Sequence, residues 1–231
     1  MEENKKSYAV PFAIVIAGFL IAGAVFFSPG KDTGISVEKK YDDNVKVENN
    51  QVFQITEDDD PTIGSPTAPV VLINFGDFRC KFCAKFQKDI KPKIMEKYVK
   101  TGKVRYVYRD LITMGENSML AAGGANCAGQ QGKYWEFADY LHSGKAGHGT
   151  IYTVDSLSEI ALSLNLDIFL FKQCLESKEY VKEVQKDISD AKAVGATGTP
   201  TVFINGIRII GVNPFSVYES IIEEELLKAK K

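Results

Sequence analysis

Two cysteines three residues apart, Cys80 and Cys83, stand where one hydrophobic pattern gives way to another. Before them, Val70 to Phe75 (Val-Val-Leu-Ile-Asn-Phe) is a short apolar run of the kind that forms a buried strand. After them, Phe86, Ile90, Ile94 and Tyr98 recur at helical spacing. The pair therefore sits at a helix N-terminus. There, residues i and i+3 share a face, so the two thiols can close a small disulfide with little backbone movement. Unpaired N–H groups and the positive end of the helix dipole favour an anion at the first thiol. Cys80 is thus the predicted nucleophile and Cys83 the resolving thiol that releases a mixed disulfide. Arg79, Lys81 and Lys85 are expected to add positive charge around the pair, and Phe82 an apolar contact beside it. The same spacing also fits half of a zinc site or a purely structural disulfide. Zinc would require two further ligands, and Cys127 and Cys174 are isolated from each other in sequence.

With 231 residues, the chain has room for a tail and one well-packed domain. Its net charge of −2 gives no basic excess for nucleic acid. Residues 1–8 form a short tail, and 9–27 are nineteen residues without a charge, about the length that crosses a ~30 Å hydrocarbon core. Ala22-Gly23-Ala24 has the form of a cleavage site, but the apolar run continues through Phe27, which favours an uncleaved single-pass anchor. Lysines on both sides of this segment (Lys5 and Lys6; Lys31, Lys39 and Lys40) leave its orientation undecided by charge. The cysteines decide it, because disulfides persist outside the cytosol, and this places the domain on the extracytoplasmic side of the cell membrane. Residues 28–50 are polar, charge-mixed and without period, as expected of a flexible linker.

The remainder, 51–231, reads as one α/β domain. Gln51 to Thr56 is a candidate first strand, and Glu57 to Asp60 an acidic run expected to be a solvated turn. Pro92 should kink the helix that follows the cysteines. Lys103 to Ile112 alternates as a strand, and a strand–helix–strand order of this length implies a parallel pair. From about 113 to 195 the pattern is helical: Met119 to Gln130, Tyr134 to Leu141, Ser156 to Leu164, Ile168 to Leu175 and Tyr180 to Ala193. Thr201 to Ile204 then runs into Asn205-Gly206, a strong hairpin signal, with Ile207 to Val212 as the partner strand. Asn213 and Pro214 fit an N-cap and first helical position, with Phe215, Tyr218, Ile222 and Leu226 as the buried stripe of a last helix. His142 and His148, lone histidines beside a glycine-rich loop, are expected at the surface or at helix ends. Tyr134, Trp135 and Phe137 are expected in the core.

These features together resemble the DsbA-like thiol-disulfide oxidoreductases of the thioredoxin superfamily, over about Asp60 to Leu227. The resemblance rests on the strand leading into Cys80-Lys81-Phe82-Cys83, the helical insertion, Gly198-Thr199-Pro200, the hairpin and the C-terminal helix. It implies a thioredoxin fold with an inserted helical subdomain, which the uncharged run at 9–27 would precede with one transmembrane helix, and no cofactor or metal is expected. It implies Cys80, Cys83 and Pro200 as catalytic residues, Pro200 being cis and lying against the cysteine pair. Thr199 and Phe82 become substrate-binding residues, the backbone of Thr199 pairing with an extended substrate segment.

The chain departs from the family pattern at Asn74, where relatives carry a buried acid six positions before the first cysteine, and in lacking a proline between the cysteines. An amide cannot take up a proton as a carboxylate does, so Cys83 would need water or another group for proton transfer. The resemblance also implies a structural disulfide between Cys127 and Cys174; two free, buried thiols are the alternative. The expected activity is the introduction of disulfides into exported proteins. The reduced pair would be reoxidised by a membrane quinone-linked oxidase of the DsbB or vitamin K epoxide reductase type. The rivals are a disulfide reductase or isomerase on the same fold, and a non-catalytic peptide- or metal-binding thioredoxin-like module.

Overall fold

A computed structural model of the chain describes residues 47–144 and 149–230. Among these, no helix is long and apolar enough to cross a membrane. The expected span at 9–27, its tail and most of the 28–50 linker lie outside the described residues, as does His148.

Six strands form one sheet in the order β1-β6-β5-β3-β4-β2. They are β1 (Val47–Val52), β2 (Thr62–Ile63), β3 (Val70–Gly76), β4 (Val104–Asp110), β5 (Thr201–Ile204) and β6 (Ile207–Ile210). The apolar run before the cysteines becomes β3, flanked on both sides. It pairs parallel with β4, from Val70 opposite Val104 to Gly76 opposite Asp110, and antiparallel with β5. The hairpin forms at Asn205-Gly206, both with positive φ (44° and 83°), the backbone that Asn and Gly adopt at least cost.

Alternation along β3 divides its side chains between two layers. Val70, Leu72 and Asn74 share a face with Tyr106 and Tyr108 of β4. On this side the core contains Phe86 from α1 (Lys81–Asp89), Ile90 that follows it, and Tyr218 and Ile222 from the last helix. Ile73 and Phe75 point the other way, into a smaller cluster with Phe203, Ala191 and Val194. The inserted helices are α3 (Glu116–Gly129), α4 (Tyr134–His142), α5 (Val154–Ser163), α6 (Ile168–Ser177) and α7 (Tyr180–Ala193). Tyr134 and Phe137 are buried in the large core and Trp135 packs against it. A disulfide between Cys127 of α3 and Cys174 of α6, with Cα atoms 5.7 Å apart, ties the insertion together.

Several expectations are corrected. The helix after the cysteines does not kink at Pro92. It stops at Asp89, and a new helix α2 (Lys91–Ile94) carries Pro92 in its first turn, where the missing N–H costs no hydrogen bond; a π-helical segment, Met95–Val99, follows. The first strand begins at Val47 instead of Gln51, inside the expected linker. It adds to the edge of β6 by backbone pairing, which leaves no alternation to read in Val-Glu-Asn-Asn-Gln-Val. The last helix, α8 (Phe215–Lys228), is preceded by Pro214 as its cap residue. Asn213 instead turns its side-chain amide back to Ile210 O at 3.1 Å.

The acidic run is a turn with Asp58 and Asp59 exposed, as expected, but Asp60 at its end is buried. Arg109 on β4 is 1% exposed, and a buried guanidinium requires carboxylates. Asp60 supplies one at 2.8 Å, and Asp187 and Asp190 of α7 supply two more, each at 2.7 Å. Burial, with the charge of Asp187, pushes the Asp60 carboxyl up, and the Arg109 guanidinium works against that rise. Glu57 pairs with Arg105, and Asp58 with Lys186. His142 is the last residue of α4, at a helix end as expected, but it is buried there, its ring 4.8 Å from that of Phe78 and 5.8 Å from that of Tyr108.

Candidate active site

The chain leaves β3 at Gly76, where a Cβ would lie 2.7 Å from the Tyr108 hydroxyl, so the strand end and β4 approach closely only without a side chain. A turn follows: Arg79 N donates to Asp77 Oδ1 at 2.8 Å, an aspartate closing a turn on its own backbone. This delivers Cys80 to the N-cap of α1, with Cys83 one turn along on the buried face. Both are thiols here.

The two sulfurs have opposite environments. Cys80 Sγ lies 3.5 Å from the carbonyl oxygen of Thr199. Its pKa is lowered to about 5, first by a hydrogen bond from Cys83, then by the Thr199 side chain and by the backbone N–H groups of Cys83 and Phe82, against the effect of burial. None of these is a cation, which corrects the expected role of the neighbouring charges. Arg79 is engaged with carbonyls of two loops, Lys85 with Asp89, and Lys81 lies over the Phe82 ring. Hydrogen bonds, from Cys83 first and with the first-turn amides contributing, do what the lysines were expected to do. Cys83 is fully buried and its thiol is pushed well above its ordinary value by that burial, although Asp77 N–H reaches its sulfur at 3.4 Å.

The Thr199–Pro200 peptide bond is cis, and the loop it forms places Thr199 beside Cys80. Phe82 is 52% exposed at the mouth of the site, free of any packing duty in the core. Asn74 is fully buried on the face that α1 covers, its side-chain amide donating to Tyr106 Oη at 3.0 Å. Gln87, one turn beyond Cys83, donates to the same hydroxyl at 3.2 Å. The site therefore brings together Cys80, Cys83, Thr199, Pro200 and Phe82. Cys127 and Cys174 are spent in their own bond, which leaves no thiols for a zinc site at Cys80 and Cys83. Asp60, Glu183 and Asp187 hold carboxylate oxygens within 4.8 Å of one another; the guanidinium of Arg109 pairs with Asp60 and Asp187, and Lys186 lies 4.0 Å from Glu183.

Sequence reasoning did not single out Asp77, whose carboxylate accepts from Arg79 N, Thr113 N, Thr113 Oγ1 and Met114 N. The only local signal was an aspartate two residues before the residue it caps.

A redox-graded thiol pair at a helix N-terminus, faced by a cis-proline loop, is also what comparison with known proteins returns. The thioredoxin family profile matches residues 56–224. The chain belongs to the thioredoxin family, on its DsbA-like branch. It is 28% identical to the probable disulfide bond formation protein D of Bacillus anthracis over 99% of this chain and 100% of that one. Among solved structures it is similar to oxidised BdbD from Bacillus subtilis (TM-score 0.70, 25% identity, 76% of this chain and 97% of that one). It is also similar to alpha-DsbA1 of Wolbachia pipientis (TM-score 0.67, 26% identity, 74% and 93%).

Proposed function

We propose that the chain, a thiol-disulfide oxidoreductase, introduces disulfides into exported proteins through Cys80 and Cys83. The observation that carries this reading is the asymmetry of the pair: one thiol drawn down to about 5 and its partner pushed well up. A thiolate stabilised in the reduced form makes the disulfide a stronger oxidant, because reduction then yields the favoured state. A substrate thiolate attacks Cys80 Sγ of the oxidised pair, and Cys83 leaves and takes up a proton. A second substrate thiolate then attacks the substrate sulfur of the mixed disulfide. Cys80 departs as the stable thiolate, and two electrons have passed from substrate to enzyme.

Each residue has a part in this. Cys80 is the attacked sulfur and Cys83 the leaving one; the Pro200 loop holds Thr199 against Cys80, and Phe82 offers an apolar contact to the incoming segment. The backbone of Thr199 is placed to pair with an extended chain. Regeneration requires an electron acceptor, for which a membrane quinone-linked oxidase of the DsbB or vitamin K epoxide reductase type is the proposed class. The uncharged run at 9–27 supports a single-pass anchor with the catalytic domain outside the cytosol, where the product disulfides persist.

The test is transfer itself. The oxidised protein mixed with a reduced dithiol peptide should yield one peptide disulfide per enzyme disulfide lost, and reduced Cys83→Ser given the oxidised peptide should accumulate a mixed disulfide at Cys80, since no resolving thiol remains to release it. A peptide that stays reduced while the enzyme disulfide persists contradicts the assignment.

A further inference from the structure

Asp77 lies between the strand that leads to the cysteines and the helix that presents them, and it is fully buried. A carboxylate in such a place requires donors. Its Oδ1 accepts from Arg79 N at 2.8 Å, and its Oδ2 from Thr113 N (2.8 Å), Thr113 Oγ1 (3.0 Å) and Met114 N (3.1 Å). One side chain thus ties the turn before Cys80 to the loop that follows β4.

The backbone N–H of the same residue donates to Cys83 Sγ at 3.4 Å. That N–H is one end of the planar peptide unit joining Gly76 to Asp77, and the carbonyl oxygen of Gly76 is the other; in a trans unit the two point in opposite directions. Gly76 O accepts from Leu111 N at 2.8 Å. The far end of the plane is therefore fixed by the loop that Asp77 Oδ2 holds two and three residues further on. The bonds close a ring: from the carboxylate to Thr113 and Met114, back along the chain to Leu111, across to Gly76 O, and through the peptide plane to Asp77 N–H. Gly76 adds no restraint of its own, since glycine has the widest backbone freedom, and a Cβ there would lie 2.7 Å from the Tyr108 hydroxyl. The direction of the Asp77 N–H is set by the ring.

We propose that the Asp77 side chain is a positioning group that aims the Asp77 N–H at Cys83 Sγ, so that the sulfur leaving in disulfide transfer departs onto a donor already in place. This rests on the reading of the pair as a disulfide donor. When a substrate thiolate attacks Cys80 Sγ, the new S–S bond forms there and the Cys80–Cys83 bond breaks with its electron pair on Cys83. The charge arises on a fully buried sulfur, where burial disfavours it, until a proton from solvent reaches it. A pre-oriented N–H stabilises such a charge with no reorganisation at the moment it develops.

The experiment uses the full-length chain in detergent and compares two reactions. One is single-turnover reduction of the oxidised pair by a dithiol peptide, in which Cys83 leaves. The other is alkylation of the reduced protein at Cys80 by iodoacetamide, in which Cys83 neither leaves nor gains charge. Asp77→Ala should slow the first by about 10-fold, short of the roughly 10²-fold cost of deleting an oriented donor outright. The second should change by less than about 2-fold, its pH midpoint staying at about 5. Asp77→Asn keeps one acceptor oxygen in nearly the same volume and should slow reduction by only about 3-fold, a comparison that does not depend on Asp77→Ala folding. Variants that slow both reactions alike, or neither, overturn the proposal. A wild type whose disulfide the peptide does not reduce removes the disulfide-donor reading beneath it.

Discussion

The two cysteine pairs of this chain are almost equally buried, with exposures of 9% and 0% for Cys80 and Cys83 against 1% and 8% for Cys127 and Cys174. Burial therefore does not distinguish the pair assigned to chemistry from the pair assigned to structure. What differs is the hydrogen-bonding surroundings and the length of chain between the sulfurs. Cys80 lies at a helix N-terminus, facing free amides and Thr199, so its anion is solvated by the protein. Cys127 and Cys174 lie within two helices of the insertion, in the large apolar core, and each has only the other. Three residues of separation let the first pair open and close without rearranging the fold, whereas 47 residues make the second a constraint on the unfolded chain.

That contrast breaks most readily at Cys80. Cys80→Ser should lower peptide oxidation at least about 10³-fold, since no other thiol occupies the N-cap and a serine cannot form the mixed disulfide. Stopped-flow or peptide-oxidation assays measure this, and substantial residual activity would move the chemistry to another residue. Replacing Cys127 and Cys174 together by alanine should do the reverse. Unfolding free energy falls by up to about 4 kcal/mol in the chain-entropy account, while the redox equilibrium of the other pair shifts by less than about 2-fold. Urea unfolding and equilibration with glutathione read the two quantities separately.

pH sharpens the comparison. In the reduced, folded protein Cys80 titrates at about 5, against about 9 for an ordinary thiol. A depressed pKa stabilises the reduced fold fully above the unfolded value, and the contribution is lost as pH falls through the folded one. The reduced form should therefore melt above the oxidised form near pH 8 and the gap should close towards pH 5. Cys83, with its pKa raised, stays protonated across that window. Thermal unfolding of both redox forms between pH 4 and pH 8 tests this; a gap that widens on acidification has the wrong sign. A smaller effect is expected from Tyr106→Phe. It removes the shared acceptor of Asn74 and Gln87 and should cost roughly 1–3 kcal/mol of stability, the penalty of buried amides left without a partner.

Those features of the site that depend on local pattern were legible in the sequence. The apolar run, the cysteine spacing and the helical period that follows place the pair at a helix start, and Asn205-Gly206 marks the hairpin beside it. What was not legible depends on partners far along the chain. Asp77 caps its own turn and also holds Thr113, 36 residues away, and nothing in the intervening residues announces that contact. Asp60 reads as one of a run of solvated acids until β4 brings the Arg109 guanidinium against it. The lysines around the cysteines suggested a cationic site, yet hydrogen bonds from Cys83 and Thr199, with the first-turn backbone amides added to them, are what stabilise the thiolate. Charge is conspicuous in a sequence, whereas an oriented N–H is not.

The reduction potential of the Cys80–Cys83 pair, measured by equilibrating the protein with glutathione buffers, tests the central claim most directly. A disulfide donor with a stabilised thiolate should lie towards the oxidising end of the thioredoxin superfamily, near about −120 mV, whereas a value near about −270 mV would make the protein a reductant that must be supplied with electrons.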